Sequence, residues 1–136
     1  MDHDDLPLGG FVKLLGLRLE EATADRVVAT IPVTPDLHQP YGIVHGGVYS
    51  AAVETTASTG AALWLGDRGR TVGIANQTEF LRPVRDGVLH IEATPVKRGR
   101  STQLWQVAIT DDRGHLVAHG TVRLMNLANS SFEATD

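Results

Sequence analysis

Glu54 is the only side chain carrying charge at neutral pH between Gly46 and Gly66, in the run GGVYSAAVETTASTGAALWLG. Its neighbours are apolar, small, or hydroxyls able to bond back to their own helix. A helix of this composition has no polar face, so protein should cover it on most sides. A solitary carboxylate there costs on the order of several kcal/mol unless it is paired, neutralised or used. It is either a structural glutamate satisfied by Ser50, Ser58 or a loop amide, or an acid kept for chemistry. Directly before the run stands His45-Gly46-Gly47. The leading N–H groups of a helix lack intrahelical acceptors, and the macrodipole makes that end positive. Glycines leave the approach open, so a carbonyl oxygen or an anion could rest against those amides. Taken alone, the tripeptide is equally a tight turn before a helix.

The spacing decides how the two features could cooperate. Glu54 follows Gly46 by eight residues, roughly 12 Å along a helix axis and about 80° around it. One carbonyl group cannot touch both on a single helix. If two copies pack antiparallel, Glu54 of one meets the Gly46 amide of the other, so the spacing implies composite sites across a homodimer.

The elements that must position this helix are legible on either side of it. Leu8 to Leu15 could form a short helix ending near Gly16. Leu17 and Leu19 alternate with Arg18 and Glu20 as a half-buried strand. Glu21 to Asp25 reads as a turn, and Val27, Ala29, Ile31 and Val33 share one face of a second strand, completing a hairpin. Thr34 to Gly42, with Pro35 and Pro40, is an irregular loop. After the helix, four strands follow. Thr71–Phe80 places Val72, Ile74 and Phe80 on one face, and Val88–Val96 turns Leu89, Ile91 and Ala93 inward. Ser101–Thr110 carries Trp105, Val107 and Ile109, and His115–Met125 carries Leu116, Ala118, Val122 and Leu124. Arg98-Gly99 and Asp111–Gly114 are hairpin turns by composition, whereas Leu81–Gly87 is a longer connection. Asn126 to Asp136 shows no periodicity and is expected to fray. Tight turns require antiparallel neighbours. A helix apolar all round is buried by one such sheet only if the sheet curls about it. The expectation is an α+β chain with a curved antiparallel sheet wrapped on one long helix, whose small residues Ala51, Ala52, Ala57 and Ala61 invite a second helix alongside.

Gln39-Pro40-Tyr41-Gly42-Ile43-Val44-His45-Gly46-Gly47 followed by Glu54 resembles the hotdog-fold acyl-CoA thioesterases. It is most similar to the phenylacetate-degradation (PaaI-like) group and to the 4-hydroxybenzoyl-CoA thioesterases that use a helix glutamate. The likeness spans about residues 8 to 125 and includes the element order and Gly114–Ala118. It implies that Glu54 is the catalytic carboxylate, as nucleophile or as base for a water, and that the Gly46 amide polarises the thioester carbonyl. It further implies that Gln39 and His45 stand beside that carbonyl and that Ser58 helps position the water or the carboxylate. By the same likeness Ser101 and Thr102 lie near the nucleotide of coenzyme A. Arg98, Gly99 and Arg100 adjoin them, in a basic run that is otherwise a solvated hairpin tip. Arg82 is another candidate phosphate contact. Gly47 and Tyr49 border the helix entrance as candidate substrate contacts, Tyr49 as part of an acyl pocket, while Trp64 and Phe80, which could line the same pocket, read more readily as core. The implied product pair is a free acid and coenzyme A, with no cofactor and no metal, in a homodimer or homotetramer.

Composition bounds the alternatives. With 136 residues, 42% of them hydrophobic, the chain is one domain with a single core. The 12 Lys+Arg against 16 Asp+Glu give no clustered basic excess of the kind a nucleic-acid groove needs. The absence of cysteine rules out disulfides and thiol catalysis. The central run is too short and too rich in Ser and Thr for a membrane span. Without a signal-like start a cytoplasmic location is expected. His3, His38, His45, His90, His115 and His119 are not read as a zinc set, and no Gly-x-Ser-x-Gly elbow is present. Two other readings on the same fold remain. A hydratase or dehydratase would draw a catalytic His from the loop, where His38 lies in the wrong context. A non-catalytic acyl-CoA sensor would usually carry a DNA-binding segment, for which the N-terminus leaves no room.

Overall fold

The computed structural model describes residues 3–129. Two α-helices, α1 (Gly9–Leu15) and α2 (Gly46–Leu65), accompany six strands. These are β1 (Arg18–Ala22), β2 (Val27–Pro32), β3 (Gly69–Phe80), β4 (Val88–Arg98), β5 (Thr102–Thr110) and β6 (Leu116–Ala128). All strand pairs are antiparallel, in the order β1-β2-β4-β5-β6-β3, and α2 contacts five of the strands. The curled sheet on a central helix is the hotdog architecture expected from the sequence.

Alternation does what the strand pattern requires. Val27, Ala29, Ile31, Leu89, Ile91, Ala93, Trp105, Val107 and Ile109 are all at most 1% exposed and form the inner face against α2. Trp105 fills the space over Gly60, where a Cβ would come within 2.4 Å of its ring. Burying such an aromatic supplies roughly 1.5–3 kcal/mol, and only a glycine on the helix permits this depth of approach. On α2, Val48, Tyr49, Ala52, Val53, Thr56, Ala57, Gly60 and Ala61 face the sheet. Ala51, Glu54, Thr55, Ser58 and Thr59 stay half-buried and Ala62 and Leu63 exposed. In a single chain the sheet covers one side of the helix and the N-terminal segment only part of the other, leaving a nearly uncharged stripe there.

Four local expectations are corrected. The last four strands are not neighbours in sequence order: Leu81–Gly87 carries the chain across the sheet, and β3 forms the edge beside β6. A bulge between Gly73 and Ala75 leaves Ile74 50% exposed, away from the core. A second irregularity, at Ile109/Thr110, buries Val117 in place of Leu116, which is 42% exposed. The last strand continues to Ala128, beyond the point where fraying was expected. Asn126 there clamps the β4–β5 turn by donating from Nδ2 to the Gly99 carbonyl at 2.9 Å and the Arg100 carbonyl at 3.2 Å. Residues 130–136 of that expected tail lie outside the described residues.

Candidate active site

His45 ends the loop in extended conformation and caps α2. Its Nδ1 accepts from the Gly47 N–H at 2.7 Å, so the neutral ring carries its proton on Nε2. A Cβ on Gly47 would lie 2.9 Å from that Nδ1, so the cap requires glycine there. The pair is thus engaged with itself, and it borders a hollow shared with Phe11, Leu14, Asp36 and His38. The Gly46 N–H, one residue earlier, has no acceptor among the described residues. It opens on a different cavity, of about 410 Å3, lined by Gln39, Ile43, Val44, Tyr49, Phe80, Leu81, Arg82 and Pro83.

Gln39 accepts from the Tyr41 N–H through Oε1, which leaves the side-chain NH2 as the donor available in that cavity. Phe80 is 56% exposed, so it is not core as expected; its ring lies over Gly46 and 5.9 Å from the Tyr49 ring. Tyr49 is 3% exposed, and its hydroxyl has no hydrogen-bond partner among the described residues. Burial pushes its pKa up to about 12, so at neutral pH the phenol keeps its proton, and that O–H donor is left without an acceptor.

Glu54 sits two turns along the helix and faces a separate cavity of about 460 Å3. That cavity is lined by Leu6, Pro7, Leu8 and Val12 of the N-terminal segment and by Thr55, Ser58, Thr59, Ala62 and Leu63 of α2. The carboxylate is half-buried, with no cation in ion-pair contact among the described residues. Neutral donors hold it: the Ser58 hydroxyl donates to Oε2 at 3.2 Å, and Asn76 Nδ2 donates to Oε1 at 3.3 Å. Of the expected catalytic residues, the structure brings Ser58 to Glu54 and Gln39 to Gly46. It does not bring Glu54 to Gly46, because the two face different cavities of one chain.

The basic run lies elsewhere again. Arg98 donates to the Ala24 carbonyl at 2.7 Å and to Asp25 Oδ1 at 2.8 Å, and it stacks 5.6 Å from the Trp64 ring centroid. Trp64 is accordingly half-buried beneath Arg68 and Arg98 instead of in the core. Gly99 and Arg100 line a hollow with Trp64, Arg68 and Asn126 at the C-terminal end of α2. Ser101 and Thr102 hold the turn through their carbonyls, which accept from the Asn126 and Gly99 N–H groups. No group of three or more His, Asp or Glu residues is placed to hold a metal among the described residues, and none of their helices is long and apolar enough to cross a membrane.

Residues 41–118, more than half the chain and including α2 with both Gly46 and Glu54, match the Thioesterase superfamily. The chain belongs to the thioesterase superfamily. The class of chemistry is thioester hydrolysis. This thioesterase is 50% identical in sequence to S. sahachiroi AziG, whose crystal structure superposes with a TM-score of 0.87 over 89% of this chain and 98% of that one. A Haemophilus influenzae thioesterase is 33% identical, with a TM-score of 0.85 over 90% of this chain and 85% of its own. The Escherichia coli 1,4-dihydroxy-2-naphthoyl-CoA hydrolase is 31% identical over 79% of each chain.

Sequence reasoning missed two residues that adjoin Glu54, Gly73 and Asn76. A Cβ on Gly73 would lie 2.4 Å from Glu54 Oε2, so only glycine leaves room for the carboxylate. In a regular strand, residues three apart point to opposite faces, and nothing local marked these two as partners of Glu54.

Proposed function

We propose that the protein hydrolyses an acyl-CoA thioester to the free acid and coenzyme A, at sites completed between two copies of the chain. The observation that carries this reading is the separation of two half-sites. Glu54 has neutral donors and no counter-charge in one cavity, while the Gly46 N–H lacks an acceptor in another. An antiparallel pairing of α2 with its copy would oppose the two, about 12 Å being the offset to make up. The nearly uncharged stripe from Ala51 to Leu63 is the surface such a pairing would cover. Strand β3, twelve residues long and on the sheet edge, offers its unpaired backbone groups to a second copy as well. A further pairing of dimers into a tetramer is compatible with the same chain.

The chemistry needs little more. Sulfur donates weakly into a thioester carbonyl, and a thiolate leaves readily. With the carbonyl oxygen against the Gly46 amide, developing negative charge meets the positive end of α2. Glu54 of the other subunit then adds to the carbonyl carbon and expels the thiolate, leaving an anhydride that water opens. Alternatively it takes a proton from a water that adds instead. Neither route requires a cofactor or metal. The Gln39 amide completes the donor set around the oxygen. The Glu54 cavity, walled by Leu6, Pro7, Leu8, Val12 and Leu63, takes the acyl group. Of the basic candidates named from the sequence, Arg82 beside Gly46 and Arg100 beside Trp64 suit the phosphates of coenzyme A better than Arg98, which is committed to Asp25.

Hydration or dehydration of an acyl thioester would need a loop histidine free for proton transfer. His38 Nε2 is bonded to the Arg85 carbonyl at 2.7 Å and borders the His45 hollow, away from Glu54. Hydrolysis is tested by thiol release from a panel of short, medium, long-chain and aromatic acyl-CoAs. Turnover of at least one class, with kcat on the order of 1 s⁻¹ or more, is the expected outcome. Tight binding of acyl-CoA without thiol release would show a sensor, and interconversion of enoyl and 3-hydroxyacyl thioesters would show a hydratase.

A further inference from the structure

Glu54 projects from the middle of α2, but β3 sets which way its carboxylate faces. Asn76 on that strand places Nδ2 3.0 Å from the Ser50 carbonyl oxygen and 3.3 Å from Glu54 Oε1. A carbonyl can only accept, so Ser50 fixes which end of the amide is the nitrogen without reference to the carboxylate. The other end is fixed too, because the Thr78 hydroxyl donates to Asn76 Oδ1 at 2.7 Å. The amide is thus locked at both ends before it meets Glu54. On the other carboxylate oxygen, Gly73 supplies clearance and Ser58 supplies a second donor.

The strand has been bent to make this possible. Gly73 and Asn76 would face opposite sides of a regular strand. The bulge between Gly73 and Ala75 restores both to the helix side. Gly73 is paired with Leu124 and Asn76 with Val122, and both partners are 0% exposed on the inner face. Bulges often re-aim side chains beside active sites. Asn and Gly are both poor strand residues, and the bulge also turns Ile74 outward. Stability of the strand explains none of these choices; delivery of one donor and one gap to Glu54 explains all of them.

We propose that Asn76 is a positioning residue that, with the β3 bulge, holds the Glu54 carboxylate in its reactive orientation. This rests on the reading of Glu54 as the catalytic carboxylate. Asn76 removes one rotation from the side chain, and the free lone pairs of both oxygens stay turned to the cavity where the acyl carbonyl arrives.

The test uses the whole protein and whichever of benzoyl-CoA and hexanoyl-CoA it hydrolyses faster. Asn76→Leu keeps the volume and removes the donor. Asn76→Asp keeps the shape and the acceptor for Thr78, and serves where the leucine variant does not fold. Each is expected to lower kcat by about 10- to 100-fold with KM within about threefold, the cost of a misplaced reacting group. A purely structural residue would lower the melting temperature without that split. In a Glu54→Ala background the same substitution is expected to change the residual rate by less than about twofold, because the two residues act as one unit. An unchanged kcat, or an equal loss repeated in the Glu54→Ala background, overturns the proposal. Wild-type turnover by Glu54→Ala alone would remove the reading beneath it. That result is distinct from an inert Asn76 substitution in an enzyme that Glu54→Ala inactivates.

Discussion

Glu54→Ala is expected to lower kcat for a responsive acyl-CoA by about three orders of magnitude while leaving fold and assembly intact. Removal of a nucleophile or general base from a site that keeps its carbonyl-polarising donor costs roughly 10²–10⁴-fold. The residual rate is what the Gly46 amide alone supplies. Stability should not fall with it. Glu54 is half-buried without a counter-charge, so its removal relieves a desolvation cost, and the donors of Ser58 and Asn76 turn to water in the open cavity. Thiol-release kinetics beside a thermal melt separate the two effects. A variant that loses melting temperature in step with activity would instead mark Glu54 as structural.

Gly46→Val should be nearly as damaging by a different route. A Cβ at Gly46 falls 2.5 Å from Phe80 Cε2 and 2.7 Å from Cζ. The ring is 56% exposed and can swing aside, so the chain still folds. The added methyl groups then occupy the space in front of the free N–H. Loss of one carbonyl-polarising donor costs about 10²–10³-fold in kcat, and the narrowed cavity raises KM as well. Steady-state kinetics with assembly checked by size-exclusion chromatography read both; activity within threefold of wild type would show that the helix entrance is not where the carbonyl binds.

Most of the fold was legible because its signals are local. Alternation marked Val27, Ala29, Ile31, Leu89, Ile91 and Trp105 as inner-face residues, and the burial follows that marking. The uncharged run with a single acid marked α2. Strand order was not legible, since whether β3 joins β4 or β6 is settled by contacts between residues far apart in sequence. Bulges defeat period-2 reasoning in principle: one extra residue exchanges the faces, as at Ile74 and at Leu116. For the same reason Gly73 and Asn76 could not be connected with Glu54. Phe80 and Trp64 looked like core by type, yet Phe80 covers Gly46 and Trp64 lies under two arginines. His45 was readable as part of a motif. That its ring is spent on the Gly47 amide required coordinates.

The central claim is that one site draws Glu54 from one chain and Gly46 from another. The decisive measurement mixes Glu54→Ala chains with Gly46→Val chains, each inactive alone, under conditions of subunit exchange. A heterodimer then holds one site with both groups intact and one with neither. Random equal mixing should restore about a quarter of wild-type sites, since about half the dimers are mixed and half their sites are whole. Recovery approaching that level in verified heterodimers is the expected result. Heterodimers as inactive as their parents would show that no site is shared between chains.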